Sequence, residues 1–530
     1  MKKVFTYSVF LLLVATGLCQ GQGNGKGSPV TLSFPDSVQI VLENTRSVDA
    51  SVVGSGFATV WNSLSLDQQQ LIRKQTYLLR KKKFPLRPHL VNYFGSIVDA
   101  VNIEKTDAPT LSKFLFVTGK VIENQATAKA LTFFELARTA FRTQALHYDK
   151  SFRLYSRDDN YAFDYVEPVA PVSWDDTTRL QNVSVPDGQS ADEGVAQTDS
   201  YADTVVQEEE VVPTWMSPAP QPPIEGPVIR FSKLTLNFVT SYDSVFLKDT
   251  KGNLLLANNT FVGEGGSFDW SSAGLSPDSV YCNMTAYNFN VTRCDLKSEL
   301  VKFTYVGKTP GFVAGTFEFK SQPRKDSVSS SYPRFRSYQS DLEISGLADE
   351  NVIYKGGFTL LGNKITSASF SGERGLIEVY NKGTKKFTAK SADFIFDKTS
   401  ITSAKTSVNI FQGNDSIVHS LVRFKYFFGN DSTQKLLLQK DKGDMRNAPY
   451  ASSFFNIDFT ADILRWDLNS DSVNLLTDGG RNDVPLIIES IDFYDIEDYR
   501  FLKGVGFSFH PLTLVVRYAL KTGFREYYSG

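Results

Sequence analysis

NKGTKKFTAKSADFIFDKTSITSAKTSVNIFQGNDSIVHSLVRFKYFFGNDS, residues 381–432, is the stretch on which the fold turns. Turn-like tetrads begin at Asn381, Asp397, Gly413 and Gly429, each sixteen residues after the last, and the final two are the same Gly-Asn-Asp-Ser. Gly, Asn, Asp and Ser at fixed intervals supply the backbone freedom and local hydrogen bonds that reverse a chain. Between the tetrads lie Phe387, Ala389, Phe394 and Phe396; then Ile401, Ser403, Val408 and Ile410; then Ile417, His419, Leu421, Phe424 and Tyr426. Each half of a segment alternates with period two, and the phase slips in the middle. A long strand with a central bend or bulge has that pattern. The spacing predicts regular antiparallel strands joined by tight turns, as a bent-strand meander, a jelly roll or an open trough.

The same grammar extends to both sides. Leu234, Leu236 and Phe238 alternate, as do Val301, Phe303 and Tyr305, and Gly, Asn, Asp and Ser punctuate the runs from about residue 226 onward. This part is expected to form a first β domain over 227–322 and a second over 323–530. Leu512, Leu514 and Val516 read as another strand, and because the pattern is unfinished at Gly530 the sequence is expected to continue.

Residues 30–165 read differently. Ser65 followed by Gln68 is a capping box, and Leu66, Ile72, Leu78 and Leu79 then recur near helical period. Another helix is expected around 88–101. The strongest runs over 126–146, where Leu131, Phe134, Leu136, Ala140 and Phe141 form an apolar face. Between this all-α N-terminal domain and the β region, residues 166–226 carry Asp175, Asp176, Asp187, Asp192, Glu193, Asp199, Asp203 and Glu208–Glu210 against the single basic Arg179, and close in Pro218, Pro220, Pro222 and Pro223. One sign of charge with few apolar residues describes an extended linker separating two domains. The class is α+β multidomain.

Met1, Lys2 and Lys3 precede an apolar run to Leu18, and the chain turns polar at Gln20, as a secretory signal peptide over 1–19 requires. The run is too short to span a bilayer. Leu18 stands where a lipidated Cys19 would want a small residue, so cleavage without lipidation is expected. Without the signal's two lysines, 54 basic residues face 58 acidic ones, which points to no nucleic-acid partner. No later run of apolar residues suffices for a transmembrane helix.

Four His and three Cys in 530 residues leave little for metal or imidazole chemistry. His89, His147, His419 and His510 have no second His three or four residues away, and His89 and His419 read as surface or interface residues. No cofactor motif occurs: Gly504-Val505-Gly506 lies between strand-like runs and reads as a bend. In an oxidising compartment Cys282 and Cys294 could pair. Asp467, Asn469, Asp471 and Asp478 offer oxygens at alternate positions as a calcium loop does, but Ser472 replaces the required Gly, and a polar hairpin tip is the simpler account. Glu489, Asp492, Tyr494, Asp495, Glu497, Asp498 and Tyr499 would suit a glycan hydrolase only if two carboxylates faced each other. The basic run Arg73, Lys74, Arg80–Lys83 and Arg87 reads as a solvated helix face.

An Asp followed by Ser or Thr recurs, placing hydroxyls at Ser37, Thr177, Thr204, Ser244, Ser279, Ser327, Ser416, Ser432 and Ser472. Each is a turn residue leading into a strand, and the pattern is similar to the O-glycosylation acceptor of exported Bacteroidota proteins. The stretches 64–70, 87–89 and 145–154, with Gly266-Ser267-Phe268-Asp269-Trp270, Asp278-Ser279-Val280-Tyr281 and residues 332–338, resemble large uncharacterised exported proteins of the Bacteroidota. That resemblance carries no activity and assigns no site residue. The β half is more loosely similar to the repeats of lipopolysaccharide-transport and AsmA-like envelope proteins, whose stacked strands form a greasy trough. These likenesses imply a non-enzymatic protein of the periplasm or outer surface, a scaffold or lipid-bridging platform whose partners are envelope lipids or proteins. A surface adhesin that binds glycans is the alternative, and a glycan hydrolase a third. The lipid-bridging version predicts an apolar interior open along one seam.

Overall fold

The computed structural model describes residues 32–156, 161–168, 220–325, 330–429, 434–440, 448–477, 486–491 and 511–523. It opens with six helices: α1 Phe34–Glu43, α2 Val48–Val60, α3 Leu66–Lys81, α4 Val91–Asn102, α5 Ala108–Asn124 and α6 Thr127–Thr143. The capping box at Ser65 forms, with the Gln68 N–H donating to Ser65 Oγ at 3.3 Å and the Ser65 N–H to Gln68 Oε1 at 3.0 Å. Ser33 and Asp36 build a second at α1. Phe57, Tyr93, Phe94, Phe114, Phe133, Phe134 and Phe141 are fully buried between the helices.

The helical region ends sooner than the sequence reading has it. Gln144 takes left-handed backbone and stops α6, and Ala145–Tyr148, Phe152–Ser156 and Tyr161–Val166 are strands. They open an antiparallel sheet that runs to Ser490 and holds every described strand. The ladder joins consecutive strands and, where a rung is split into two arms, strands further apart in the chain, as Thr260–Glu264 with Ala286–Asn290 and Arg334–Ser337 with Thr359–Leu361, so the strands stack as rungs. The 322/323 boundary is not a break in it, because Phe317 pairs opposite Phe335. Residues 166 and 226 also pair directly, Val166 opposite Gly226 and Tyr165 opposite Pro227. The acidic stretch therefore leaves and re-enters at adjacent strands. Its composition does not say where its ends lie, and they fall within the β region rather than between helices and sheet.

All four tetrads fall at reversals. Asn381 pairs with Thr384 across Lys382 and Gly383, both at positive φ as a two-residue hairpin demands. The Asp397 N–H donates to Ser400 O at 2.9 Å. Gln412 faces Asp415, and Gly429 lies between Phe428 and Gln434, which pair. The mid-segment slip is a crease. Thr384–Ser391 and Ile395–Phe396 are separate arms on the single strand Ser400–Gln412, whose register against Asp415–Phe428 shifts after Ser403 and again after Thr406.

A crease frees backbone donors from the ladder, and buried side chains take them up. The Phe358 N–H donates to Ser337 Oγ at 2.9 Å, Phe394 to Ser367 Oγ at 2.8 Å, Lys405 to Ser403 Oγ at 3.3 Å and Leu421 to His419 Nδ1 at 3.0 Å. The arms then close on each other. Tyr354 meets Phe396 from the opposite arm at 5.0 Å, and Phe424 packs on both Phe387 and Phe394 at 6.0 and 5.8 Å. At the other end Phe163 sits between Phe114 and Phe141, at 5.1 and 5.7 Å. One continuous core joins helices and sheet, and the helical region caps the first rungs.

Pro511–Thr522 is a helix, not the strand its alternation suggested. Leu514, Val515 and Val516 are consecutive or near-consecutive apolar residues, a short run that suits either element.

Candidate functional site

Where α6 meets the first rungs, two clefts flank residues 143–146. The first, of about 500 Å³, has an apolar floor of Phe141, Phe163, Ile229 and Phe231 beneath a rim that includes Glu104, Tyr155, Tyr161 and Asn237. Tyr161 Oη donates to Glu104 Oε1 at 3.2 Å. The second, of about 540 Å³, is predominantly polar: α6 contributes Thr132, Glu135, Thr139 and Arg142, opposed by His147, Tyr148, Asn259 and Thr292.

Arg138 fixes the wall of the second cleft. Its guanidinium donates to both carboxylate oxygens of Asp49 on α2, at 2.9 and 2.6 Å, and to Asn92 Oδ1 on α4 at 2.9 Å, and it lies 3.5 Å from Asp99. A Cβ on Gly95 would stand 2.5 Å from Arg138 Nε, so the glycine makes the space. The hydrogen bond from Arg138 holds Asp49 below the usual carboxylate range, whereas burial raises Asp99 despite the same cation. Burial also lowers His147, with Asp149 pulling the other way.

Apart from His147, the residues singled out from sequence lie elsewhere. Cys282 and Cys294 are free thiols. Cys282 pairs opposite Phe303, whereas Cys294 precedes Asp295 at the far end of that same strand, nine residues and roughly 30 Å away at about 3.3 Å per residue. No disulfide spans that distance. Asp467, Asn469 and Asp471 do sit at a hairpin tip: Asp467 Oδ1 accepts from the Asn469 N–H at 3.1 Å, and Asn469 Oδ1 accepts from Asn381 Nδ2 at 3.2 Å. Asp467 Oδ1 is thus engaged in turn geometry and Asn469 Oδ1 in a contact to the neighbouring hairpin. Asp478 is outside the described residues, and among those described no group of three His, Cys, Asp or Glu could hold a metal.

His89 and His419 are buried, contrary to the surface reading, and their Nε2 atoms lie 3.2 Å from Thr127 O and Ala448 O. Of the basic run, Arg73 lies 4.8 Å from the Phe34 ring centre and Lys74 pairs with Glu123, so part of it is spent within the head. Ser244 and Ser472 are exposed at turns, while Ser37, Ser279 and Ser416 are half-buried. Thr177, Thr204, Ser327, Ser432, His510, residues 504–506 and 492–499 lie outside the described residues, and Glu489 is exposed on the last rung. The second cleft was invisible in sequence because its residues come from four separate stretches; the polar face of α6 was the one available signal.

No protein-family model matches the chain, and no curated protein or solved structure does either. Among the described residues no helix is long and apolar enough to cross a membrane.

Proposed function

We propose that this protein is a non-enzymatic structural platform of the cell envelope, a stiff stack of bent rungs closed at one end by its helical cap. The observation that carries this reading is the sealed inner face. Phe303, Phe335, Phe358, Leu360, Ile377, Val379, Phe387, Phe394, Val422, Tyr426, Leu436 and Leu464 all stand at 0% exposure. Phe303 and Phe335 stack at 4.1 Å. A groove that carried an acyl chain would leave such side chains accessible along a seam, so the packing favours a scaffold over a lipid bridge. The signal-like N-terminus supports export, and the exposed Ser244 and Ser472 are the described acceptors on which this reading expects glycans.

Organic extraction of the purified full chain, followed by mass spectrometry, tests the reading. The expected result is no phospholipid or lipopolysaccharide fragment near one per chain. A stoichiometric lipid overturns the scaffold reading in favour of the bridge.

A further inference from the structure

We propose that the polar cleft between α6 and the first rungs binds a neutral mono- or disaccharide. Helix α6 has two faces of opposite character. Phe133, Phe134, Ala137 and Phe141 enter the core, whereas Thr132, Glu135, Thr139 and Arg142 recur at helical spacing along the other side and line a concavity. A merely solvated helix face would be convex. The cleft lies within the ~300–1,000 Å³ range of small-molecule sites.

Its chemistry fits a pyranose. Tyr148 is about half exposed at one wall and is held by the Arg153 guanidinium, 5.0 Å from its ring centre, and by the edge of Tyr155 at 6.4 Å. An oriented aromatic ring packs against the C–H face of a sugar. Around it stand planar polar groups that match vicinal hydroxyls: the Asn259 and Asn92 amides, the Glu135 carboxylate and the Arg142 guanidinium. Asn92 Oδ1 is occupied by Arg138, which leaves that amide its Nδ2 donors.

Charge selects the neutral ligand. Arg138 is consumed by Asp49 and Asp99, while Glu135 and Arg142, about two turns apart on the same helix, form no salt bridge among the described residues and carry opposite charges that offset each other on that wall. Burial of His147 disfavours its cation, so it adds no attraction for an acidic sugar.

The test titrates the full chain with cellobiose, maltose and lactose, and with sialyllactose as the acidic arm, by calorimetry and saturation-transfer NMR. At least one neutral disaccharide is expected to bind saturably with a Kd of order millimolar. Tyr148→Ala and Glu135→Ala should each weaken it by about tenfold, with Tyr148→Phe retaining it and the melting temperatures unchanged. Should Tyr148→Ala fail to fold, the exposed Glu135→Ala decides. No saturable neutral binding up to about 50 mM, binding of sialyllactose alone, or binding indifferent to the cleft substitutions overturns the proposal.

Discussion

His419 stands at the crease of Asp415–Phe428, with Nδ1 accepting the Leu421 N–H at 3.0 Å and Nε2 at 3.2 Å from Ala448 O. That pair of partners calls for the neutral ring, since Nδ1 must keep its lone pair. Burial pulls the pKa down to about 4 from the ordinary 6.5; Lys440 pushes the same way, and the Ala448 carbonyl opposes. A group depressed in the folded state contributes stability that is complete above its unfolded pKa and is lost as pH falls through the folded one. The window is therefore about 6.5 down to 4, and the loss at pH 4.5 is about 2–3 kcal/mol. Urea unfolding of the protein and of His419→Gln at pH 7 and 4.5 measures it: the variant should lose less between the two pH values. Identical pH dependence in both proteins would exclude His419 as the source. The sequence placed His419 and Leu421 in one phase and so missed this role, because alternation says nothing about which residue a bulge turns inward. In the structure His419 and Val422 face in and Leu421 does not.

Elements were legible where their chemistry is local. The Ser65–Gln68 capping box and the turn tetrads at Asn381, Asp397 and Gly413 depend on residues within a few positions of each other, and they form as read. What a strand needs from its neighbours was not legible, and glycine shows why. Gly252 and Gly263 are paired across adjacent strands, and Gly263 is opposite Tyr287. A Cβ on Gly263 would fall 2.3 Å from Tyr287 Cζ, so the missing side chain is what lets the tyrosine lie across the rung and bring its hydroxyl 2.5 Å from Thr250 Oγ1. Gly263→Ala is expected to cost about 1–3 kcal/mol through overpacking. In a Tyr287→Ala background the same change should cost almost nothing, since the ring it displaces is gone. A double-mutant cycle in urea reads the coupling, and additive effects would show that Gly263 serves some other purpose.

On the scale of the molecule, α+β class and the order helices before strands were readable from periodicity, but connectivity was not. The pairing of Val166 with Gly226 across the acidic stretch is a long-range fact that no local signal encodes. The consequence is testable. If residues 169–219 only close a loop between neighbouring strands, their length costs loop entropy without supporting the fold. Closure entropy scales with the logarithm of loop length, so a short Gly-Ser turn in their place should raise stability by about 1–2 kcal/mol. The helical cap would stay attached, because Phe163 still packs on Phe114 and Phe141 and the first rungs precede the excision. Ten acidic residues would leave with one arginine, so the shortened chain should also elute later from a cation exchanger. Chemical unfolding of the excised variant, followed through the tryptophans, gives the decisive number: a gain or no change fits an excursion between paired strands. A loss of several kcal/mol, or of cooperativity, would mean that the acidic stretch contributes packing of its own and that the linker reading fails in composition as well as in connectivity.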